Sequence, residues 1–159
     1  MPSNPITLSV VRPEDAEALA ALRVLAMRES LERIGRFDPM RARERFLSGF
    51  SPQHTRHILV GGERAGFVVV KPAGDALLLD HLYIDPRFQN RSVGAQVLVM
   101  VFAEADAKGV PLRVGALRGS DANRFYLRHG FVLEKMGEWD NFYVRPVQQR
   151  TGDGTEDRN

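Results

Sequence analysis

The middle of the chain joins an apolar run, a polar turn of small residues and an apolar-periodic helix. The run from Leu77 to Ile84 leads into the turn, and the helix that follows ends at Gly109. The amides that open a helix lack intrahelical partners, and the helix dipole favours negative charge there. Because Ser92, Gly94 and Ala95 keep their side chains short, we expect a phosphate group to approach the amides of residues 90–95 closely.

Periodicity and turn residues divide the remaining chain into alternating strands and helices. A helix opens near Pro13 and continues to Gly35, with a break near residues 27–30, and a second helix runs from Asp38 to Gly49. Strands 57–60 and 65–71 form a hairpin about a turn at 61–64. The other expected elements are strands 6–11, 76–84, 112–117, 131–136 and 139–144 and a short helix over 122–129. This order predicts an α/β fold, a mixed sheet with helices on both faces.

Length and composition limit the number of domains and the kinds of partner that we expect. With 159 residues, of which 43% are apolar, we expect one domain over residues 1–147 and a disordered polar tail over 148–159. The absence of cysteine excludes disulfides, thiolate metal sites and a cysteine nucleophile, and it fits a cytoplasmic location. A net charge of +2 gives no indication of nucleic-acid binding. The sequence contains no apolar run of about 18 residues, so we expect no membrane-spanning helix. His54, His57, His81 and His129 lack metal-ligand spacing, so no metal is expected.

Two motifs point to one family. Residues 89–95, Gln-Asn-Arg-Ser-Val-Gly-Ala, resemble the Gln/Arg-x-x-Gly-x-Gly/Ala pyrophosphate loop of the GNAT superfamily, the acetyl-CoA-dependent N-acyltransferases. Residues 123–131 resemble that family's Phe/Leu-Tyr-x-x-x-Gly-Phe signature. The resemblance covers roughly residues 6–146 and implies a central, mostly antiparallel sheet. It also implies that strands 76–84 and 112–117 part at their ends to admit the pantetheine arm of acetyl-CoA.

The resemblance assigns the cofactor contacts residue by residue. The arm would meet the backbone of Leu82, Tyr83 and Ile84, and the pyrophosphate would meet Gln89, Asn90, Arg91, Ser92, Val93, Gly94 and Ala95. Ser92 stands where the family usually has its first glycine, so we expect its backbone to keep a conformation open to residues with a Cβ. Arg128 would reach a CoA phosphate or lie on a solvated helix face. Asn123 would contact the arm or cap the short helix.

Tyr126 is the candidate general acid. The family places this role on the tyrosine of the matching motif, and a phenol stays protonated at neutral pH. The alternative is a core tyrosine that packs the short helix. Asp80 and His81 are candidates for the general base, with a water chain as the alternative. Because neighbouring strand residues face opposite ways, we expect at most one of these two to face the acceptor.

The acceptor pocket is expected from the first helices, the central strand and the last hairpin, as the resemblance implies. The acids Glu29, Glu32 and Asp140 would suit a cationic amine, and the aromatic rings of Tyr83 and Trp139 would pack against its stem. Each has an alternative role in surface charge or hairpin packing. The arginines at 33, 36, 41, 43 and 45 are interpreted as a solvated helical face.

These expectations lead to a sequential N-acetyltransferase that moves an acetyl group from acetyl-CoA directly to a primary amine. No cysteine and no Ser-His-Asp pattern is available for an acyl-enzyme. The main alternative is a non-catalytic acyl-CoA-binding or sensing module. A Walker or Rossmann nucleotide site is disfavoured because no Gly-Lys-Ser/Thr ends the loop. The acceptor stays open among polyamines, amino acids, aminoglycosides and protein amines, and a homodimer is among the expected assemblies.

Overall fold

Strands and helices follow one another in the predicted order in the computed structural model, which describes residues 4–148. The strands are β1 (Ile6–Val10), β2 (Thr55–Val60), β3 (Glu63–Ala73), β4 (Ala76–Ile84), β5 (Leu112–Leu117), β6 (Val132–Met136) and β7 (Asp140–Arg145). The helices are α1 (Ala16–Arg33), α2 (Pro39–Ser48), α3 (Val93–Lys108) and α4 (Ala122–Arg128). The predicted tail lies outside the described residues, apart from Gln148.

Local capping residues explain where the first two helices begin. A 3-10 turn over Pro13–Asp15 precedes α1, and the Asp15 carboxylate accepts a hydrogen bond of 2.8 Å from the Arg12 amide. The Asp38 carboxylate caps α2 by accepting from the Arg41 amide at 3.1 Å. The expected break in α1 is wrong, because the helix continues through residues 27–30, which include neither proline nor glycine.

Two tight turns shape the first half of the sheet. Gly61 and Gly62 have φ of 58° and 88°, the paired positive values of a two-residue hairpin turn. The turn is therefore shorter than the predicted 61–64, and β3 already begins at Glu63. A second short turn, at Gly74 and Asp75, joins β3 to β4.

The sheet has the order β1-β2-β3-β4-β5-β7-β6, in which only β4 and β5 run parallel. Their pairing covers three residue pairs and ends at Leu79 opposite Val114. Beyond that point residues 81–84 of β4 pair with β3 alone. The expected parting of the two strands is present, and it leaves one backbone edge of β4 open toward a gap, which we call the β4–β5 gap.

Helices cover both faces of the sheet and enclose two cores. The larger core lies between the sheet and α3 and includes Leu79, Val97, Leu98, Val101 and Phe131. The smaller core, under α1 and α2, includes Leu19, Leu22, Phe46 and Phe67. Burial of such side chains stabilises the fold by about 1.5–3 kcal/mol each. No helix within residues 4–148 has the length and apolar character needed to span a bilayer.

Candidate active site

A β-bulge in β4 sets the orientation of both candidate bases. Val69 opposes His81 and Val70 opposes Leu79, so Asp80 is an extra residue without a partner on β3. The Asp80 Oδ2 atom lies 3.0 Å from Lys71 Nζ and 3.8 Å from His81 Nε2. Asp80 and His81 therefore share the sheet face beneath α1 and α2. The expected alternation is wrong at these two residues, because the bulge interrupts it, and which of them faces the acceptor stays a prediction.

His81 lies in an aromatic and cationic environment. Its ring packs against Phe46, Phe67 and Tyr83, with ring centroids 5.5, 6.3 and 5.8 Å away. Burial, with Arg23, Lys71 and Arg45 nearby, lowers the pKa of His81 to about 4, against the opposing effect of Asp80. His81 is therefore neutral at pH 7 and a weak base, and its buried Nδ1 atom has no hydrogen-bond partner among the described residues.

Tyr126 lies in the larger core beside the β4–β5 gap. Its ring centroid is 5.3 Å from that of Phe131 and 6.4 Å from that of Tyr143. Within residues 4–148, its hydroxyl makes no hydrogen bond. Burial, and to a smaller extent the phenol of Tyr83, raise the pKa of Tyr126 far above its usual range. The site thus holds a protonated phenol that has no acceptor in the part of the chain that the structure describes.

The loop that precedes α3 presents a row of backbone donors. Asn90 and Ser92 have φ of 65° and 62°, with Arg91 at negative φ between them. Among the described residues, the amides of 90–95 donate no backbone hydrogen bond, and the first one in α3 joins the Gln96 amide to the Ser92 carbonyl at 3.1 Å. Alternating backbone of this kind forms an anion-binding concavity. The expectation for Ser92 is wrong, since it adopts the left-handed conformation that favours glycine.

The loop side chains have separate roles. Gln89 Nε2 donates to the Ile84 carbonyl at 2.9 Å, so this side chain fastens the loop to the end of β4. Arg91 is exposed, makes no ion pair with a described residue, and lies 5.3 Å from the Phe88 ring centroid. A Cβ on Gly94 would lie 3.3 Å from Phe125 Cζ, so the glycine also lets α3 and α4 approach. The backbone amides and Arg91 are thus the groups suited to phosphate.

Asn123 differs from both of its expected roles, whereas the role of Arg128 stays a prediction. Asn123 Nδ2 donates to the Leu117 and Ser120 carbonyls, both at 2.9 Å. Its Oδ1 accepts from Tyr143 Oη at 2.6 Å and from Asn141 Nδ2 at 2.9 Å. This bonding favours a structural role that joins α4 to β5 and β7. Asn123 therefore does not form the predicted helix cap, and its side chain has no group left free for the pantetheine arm. Arg128 is exposed.

The candidate acceptor residues fall into two groups. Glu29 is 88% exposed and lies 3.8 Å from Arg33, and Glu32 pairs with Arg28 at 3.1 Å, so both face solvent along α1. Trp139 and Asp140, in contrast, lie where the last hairpin meets the free end of β5. Asp140 opposes Leu117, and Arg36 stacks 4.7 Å from the Trp139 ring centroid.

Arg23 is a residue that sequence reasoning missed. It is 8% exposed, its Nη1 atom donates to the Ala42 carbonyl, and its guanidinium carbon lies 5.6 Å from the Tyr83 ring centroid. A signal was available in the sequence, because position 23 interrupts the apolar stripe of α1 at Leu19, Leu22 and Ala26. Within residues 4–148, no cluster of three or more His, Cys, Asp or Glu side chains is arranged to hold a metal ion.

Sequence comparison decides the family. The sequence profile of the GNAT acetyltransferase domain matches residues 54–133, half of the chain, and spans β2 to the start of β6. The chain belongs to the GNAT acetyltransferase family. No curated protein matches the sequence.

Solved structures share this GNAT fold over nearly their whole length. PaiA N-acetyltransferase from Thermoplasma acidophilum, in complex with coenzyme A, has a TM-score of 0.72 and 18% identity, over 90% of this chain and 99% of that one. An acetyltransferase from Thermus thermophilus has a TM-score of 0.70 and 24% identity, over 89% and 97%. The ribosomal-protein-S18-alanine N-acetyltransferase from Escherichia coli has a TM-score of 0.68 and 16% identity, over 92% and 96%. At these identities the likeness shows the fold.

Proposed function

We propose that this GNAT protein is an N-acetyltransferase that moves an acetyl group from acetyl-CoA directly to a primary amine. The observation that carries the proposal is the row of unpartnered amides at residues 90–95, placed beside the open edge of β4. Acetyl-CoA supplies an activated thioester, while the protein holds the reactants in attack geometry.

The residues present fit the phosphates of coenzyme A. The amides of residues 90–95 include two from the left-handed positions Asn90 and Ser92, and they converge at the positive end of the α3 dipole. Arg91 adds an exposed cation without an internal carboxylate partner among the described residues. The PaiA N-acetyltransferase, which shares the fold, was crystallised with coenzyme A.

The β4–β5 gap provides the place for the pantetheine arm and the reacting carbonyl. Residues 80–84 are not paired with β5, so the backbone groups of Leu82 and Tyr83 on that side are available for contacts with the arm, whereas the Ile84 carbonyl already accepts a hydrogen bond from Gln89. An N–H on this edge would polarise the thioester carbonyl and stabilise the negative charge that develops on its oxygen. In this proposal the fold supplies polarisation through backbone rather than through a dedicated side chain.

Tyr126 is the proposed general acid for the departing thiolate. The phenol is protonated at neutral pH and its hydroxyl has no acceptor among the described residues, which leaves the proton free for transfer. The packing of its ring on Phe131 and Tyr143 fixes the direction of the hydroxyl.

Removal of the proton from the amine is the second requirement. His81, with a pKa of about 4, is no more basic than an ordinary carboxylate, and its side chain is less exposed than that of Asp80, at 17% against 32%. Asp80 is more accessible, with 32% of its side chain exposed, although it pairs with Lys71. We propose that Asp80 receives the proton through water, and the comparison of Asp80→Asn with His81→Gln at equal CoA saturation tests this choice.

The function is tested by measuring CoA release with a thiol reagent over a panel of primary amines. The chain has no cysteine, so every thiol detected comes from product. Amine-dependent CoA release, with mass spectrometry showing an acetylated amine, supports the proposal. Tight CoA binding without release on any amine favours the acyl-CoA-binding module, and absence of CoA binding contradicts both.

A further inference from the structure

Arg23 places a charged guanidinium inside the smaller core without a counter-charge from the described residues. It lies on the buried face of α1 beside Leu19, Ala20 and Leu22 and is 8% exposed. No carboxylate of the described residues forms an ion pair with it. A guanidinium keeps its charge at any physiological pH. Burial of an uncompensated charge is costly, so this position requires an explanation beyond packing.

The hydrogen bonds of Arg23 leave one edge of the guanidinium free. Nη1 donates to the Ala42 carbonyl, whereas Nε is buried with no partner and Nη2 makes no bond within residues 4–148. Nε and Nη2 form the edge that binds the two oxygens of a carboxylate through parallel hydrogen bonds. The arginine is therefore anchored on one side and presents a bidentate donor on the other.

A second unsatisfied group lies on the same side of the sheet. The buried His81 Nδ1 atom has no hydrogen-bond partner within the described range. Both His81 and Arg23 contact the ring of Tyr83. The His81 and Tyr83 ring centroids are 5.8 Å apart, and the Arg23 guanidinium carbon lies 5.6 Å from the Tyr83 centroid. The neighbouring carboxylate, Asp80, is already paired with Lys71. Two polar groups around one tyrosine thus lack partners in residues 4–148, and the local charge is positive.

This location connects Arg23 to the reaction site. Tyr83, whose ring Arg23 contacts, belongs to the part of β4 that has lost its pairing to β5 and borders the β4–β5 gap. An anion held by Arg23 would therefore lie beside this open part of β4, on the side of α1 and α2. The acids that would attract a cationic amine, Glu29 and Glu32, instead face solvent and pair with arginines of α1.

We propose that Arg23 is a specificity-determining residue that binds a carboxylate of the acceptor. The acceptor is then a small molecule that carries both a primary amine and a carboxylate, as an amino acid does. This inference rests on the proposed function and narrows its substrate class. It disfavours polyamines and other amines that lack an acid group.

The experiment compares amino acids with the amines that remain after removal of their carboxylate, such as phenylalanine with phenethylamine and lysine with cadaverine. CoA release is measured for the wild type, Arg23→Met and a control, Arg43→Met, which removes an exposed arginine of α2 that pairs with Glu17. We expect kcat/KM of the wild type to favour the carboxylate member of at least one pair by about tenfold or more, chiefly through KM. Arg23→Met removes this preference, and Arg43→Met keeps it.

Stability separates a ligand-binding role from a structural one. Because Arg23→Met replaces a buried charge by an apolar side chain of similar length, we expect its melting temperature to equal or exceed that of the wild type. If Arg23→Met does not fold, Arg23→Lys, which keeps the charge but loses the planar fork, is expected to reduce the preference.

Failure of this inference differs from failure of the proposed function. Release of CoA with plain amines and no preference for carboxylates overturns the role of Arg23 and leaves the acetyltransferase intact. A preference that persists in both Arg23 variants also overturns it. No CoA binding, or no release with any amine, contradicts the function itself.

Discussion

The buried polar side chains of the site divide by whether the protein satisfies them. The Asn123 side-chain amide nitrogen donates to the Leu117 and Ser120 carbonyls, and its oxygen accepts from Tyr143 and Asn141. The Tyr126 side chain is 7% exposed, and its hydroxyl makes no hydrogen bond among the described residues. Satisfied groups hold a fold together, while unsatisfied ones are free to meet a substrate. This distinction separates candidate catalytic groups from structural neighbours in the same motif.

Tyr126→Phe is expected to lower turnover by about 10²-fold or more, because it removes the general acid but keeps the packed ring. CoA affinity and melting temperature should change little, since the hydroxyl bonds to no described residue. The matched control is Tyr143→Phe, which loses a hydrogen bond of 2.6 Å to Asn123. That variant should lose about 1 kcal/mol of stability while keeping most of its turnover. Unchanged turnover in Tyr126→Phe would assign the residue to packing alone.

The low pKa of His81 predicts that the free energy of unfolding decreases as the pH is lowered. Its folded pKa of about 4 lies below the ordinary value of 6.5, chiefly through burial. The unfolded chain therefore binds the proton first, and stability is lost as the pH falls from about 6.5 to about 4, by up to about 3 kcal/mol. Thermal melts of wild type and His81→Gln over this range should converge toward low pH. Parallel curves would contradict a buried neutral histidine.

At the scale of elements, one irregularity in a strand and one in a loop create the site. The bulge at Asp80 turns two consecutive side chains toward α1 and α2. The left-handed residues Asn90 and Ser92 turn successive amides outward before α3 begins. A regular strand and a regular loop would leave neither arrangement, which is why strain concentrates at this end of the sheet.

Substitution of Ser92 tests the loop. Ser92→Val places a β-branched side chain at φ 62° and should cost about 1–2 kcal/mol and weaken CoA binding as the loop rearranges. Ser92→Gly, the control, suits this conformation and keeps the amide, so it should retain CoA affinity. The measurements are CoA titration and thermal melting. Equal CoA affinity in all three proteins would place the phosphates elsewhere.

At the scale of the whole molecule, the two parts of the sheet that separate between β4 and β5 are also joined by contacts outside the sheet. The β4–β5 pairing covers three residue pairs, and α1 adds contacts across the gap. Arg33 bonds both Asp121 oxygens at 2.9 and 2.8 Å, and the Asp121 amide donates to Ser30 Oγ at 3.1 Å. A ligand that fills the gap should therefore stabilise the entire domain. The predicted homodimer has no test in these contacts and stays a prediction.

Coenzyme A should raise the melting temperature by mass action, with a stabilisation of about 2.7 kcal/mol at 100 times its dissociation constant. Dephospho-CoA and pantetheine, measured in parallel, separate the contributions of the phosphates from those of the arm. We expect pantetheine to stabilise least, because the amides of residues 90–95 would have no anion to bind. An unchanged melt with millimolar CoA would contradict the cofactor assignment.

Local sequence determined the order of elements and the place of the turn before α3, the proposed phosphate loop. Apolar spacing, proline and glycine act within a few residues, so β4 over Ala76–Ile84, β5 over Leu112–Leu117 and the end of α3 at Gly109 were predictable. The motif at residues 89–95 likewise carries its own geometry.

Tertiary structure alone decided which side chains meet. The bulge at Asp80 depends on pairing with β3, and the bonding of Asn123 depends on Tyr143, twenty residues further along the chain. The burial of Arg23 depends on α2 and β4. Burial and partner choice are set by residues distant in sequence. The sequence therefore showed only that Arg23 interrupts the apolar stripe of α1. The tertiary structure showed that this charge is buried without a partner among residues 4–148.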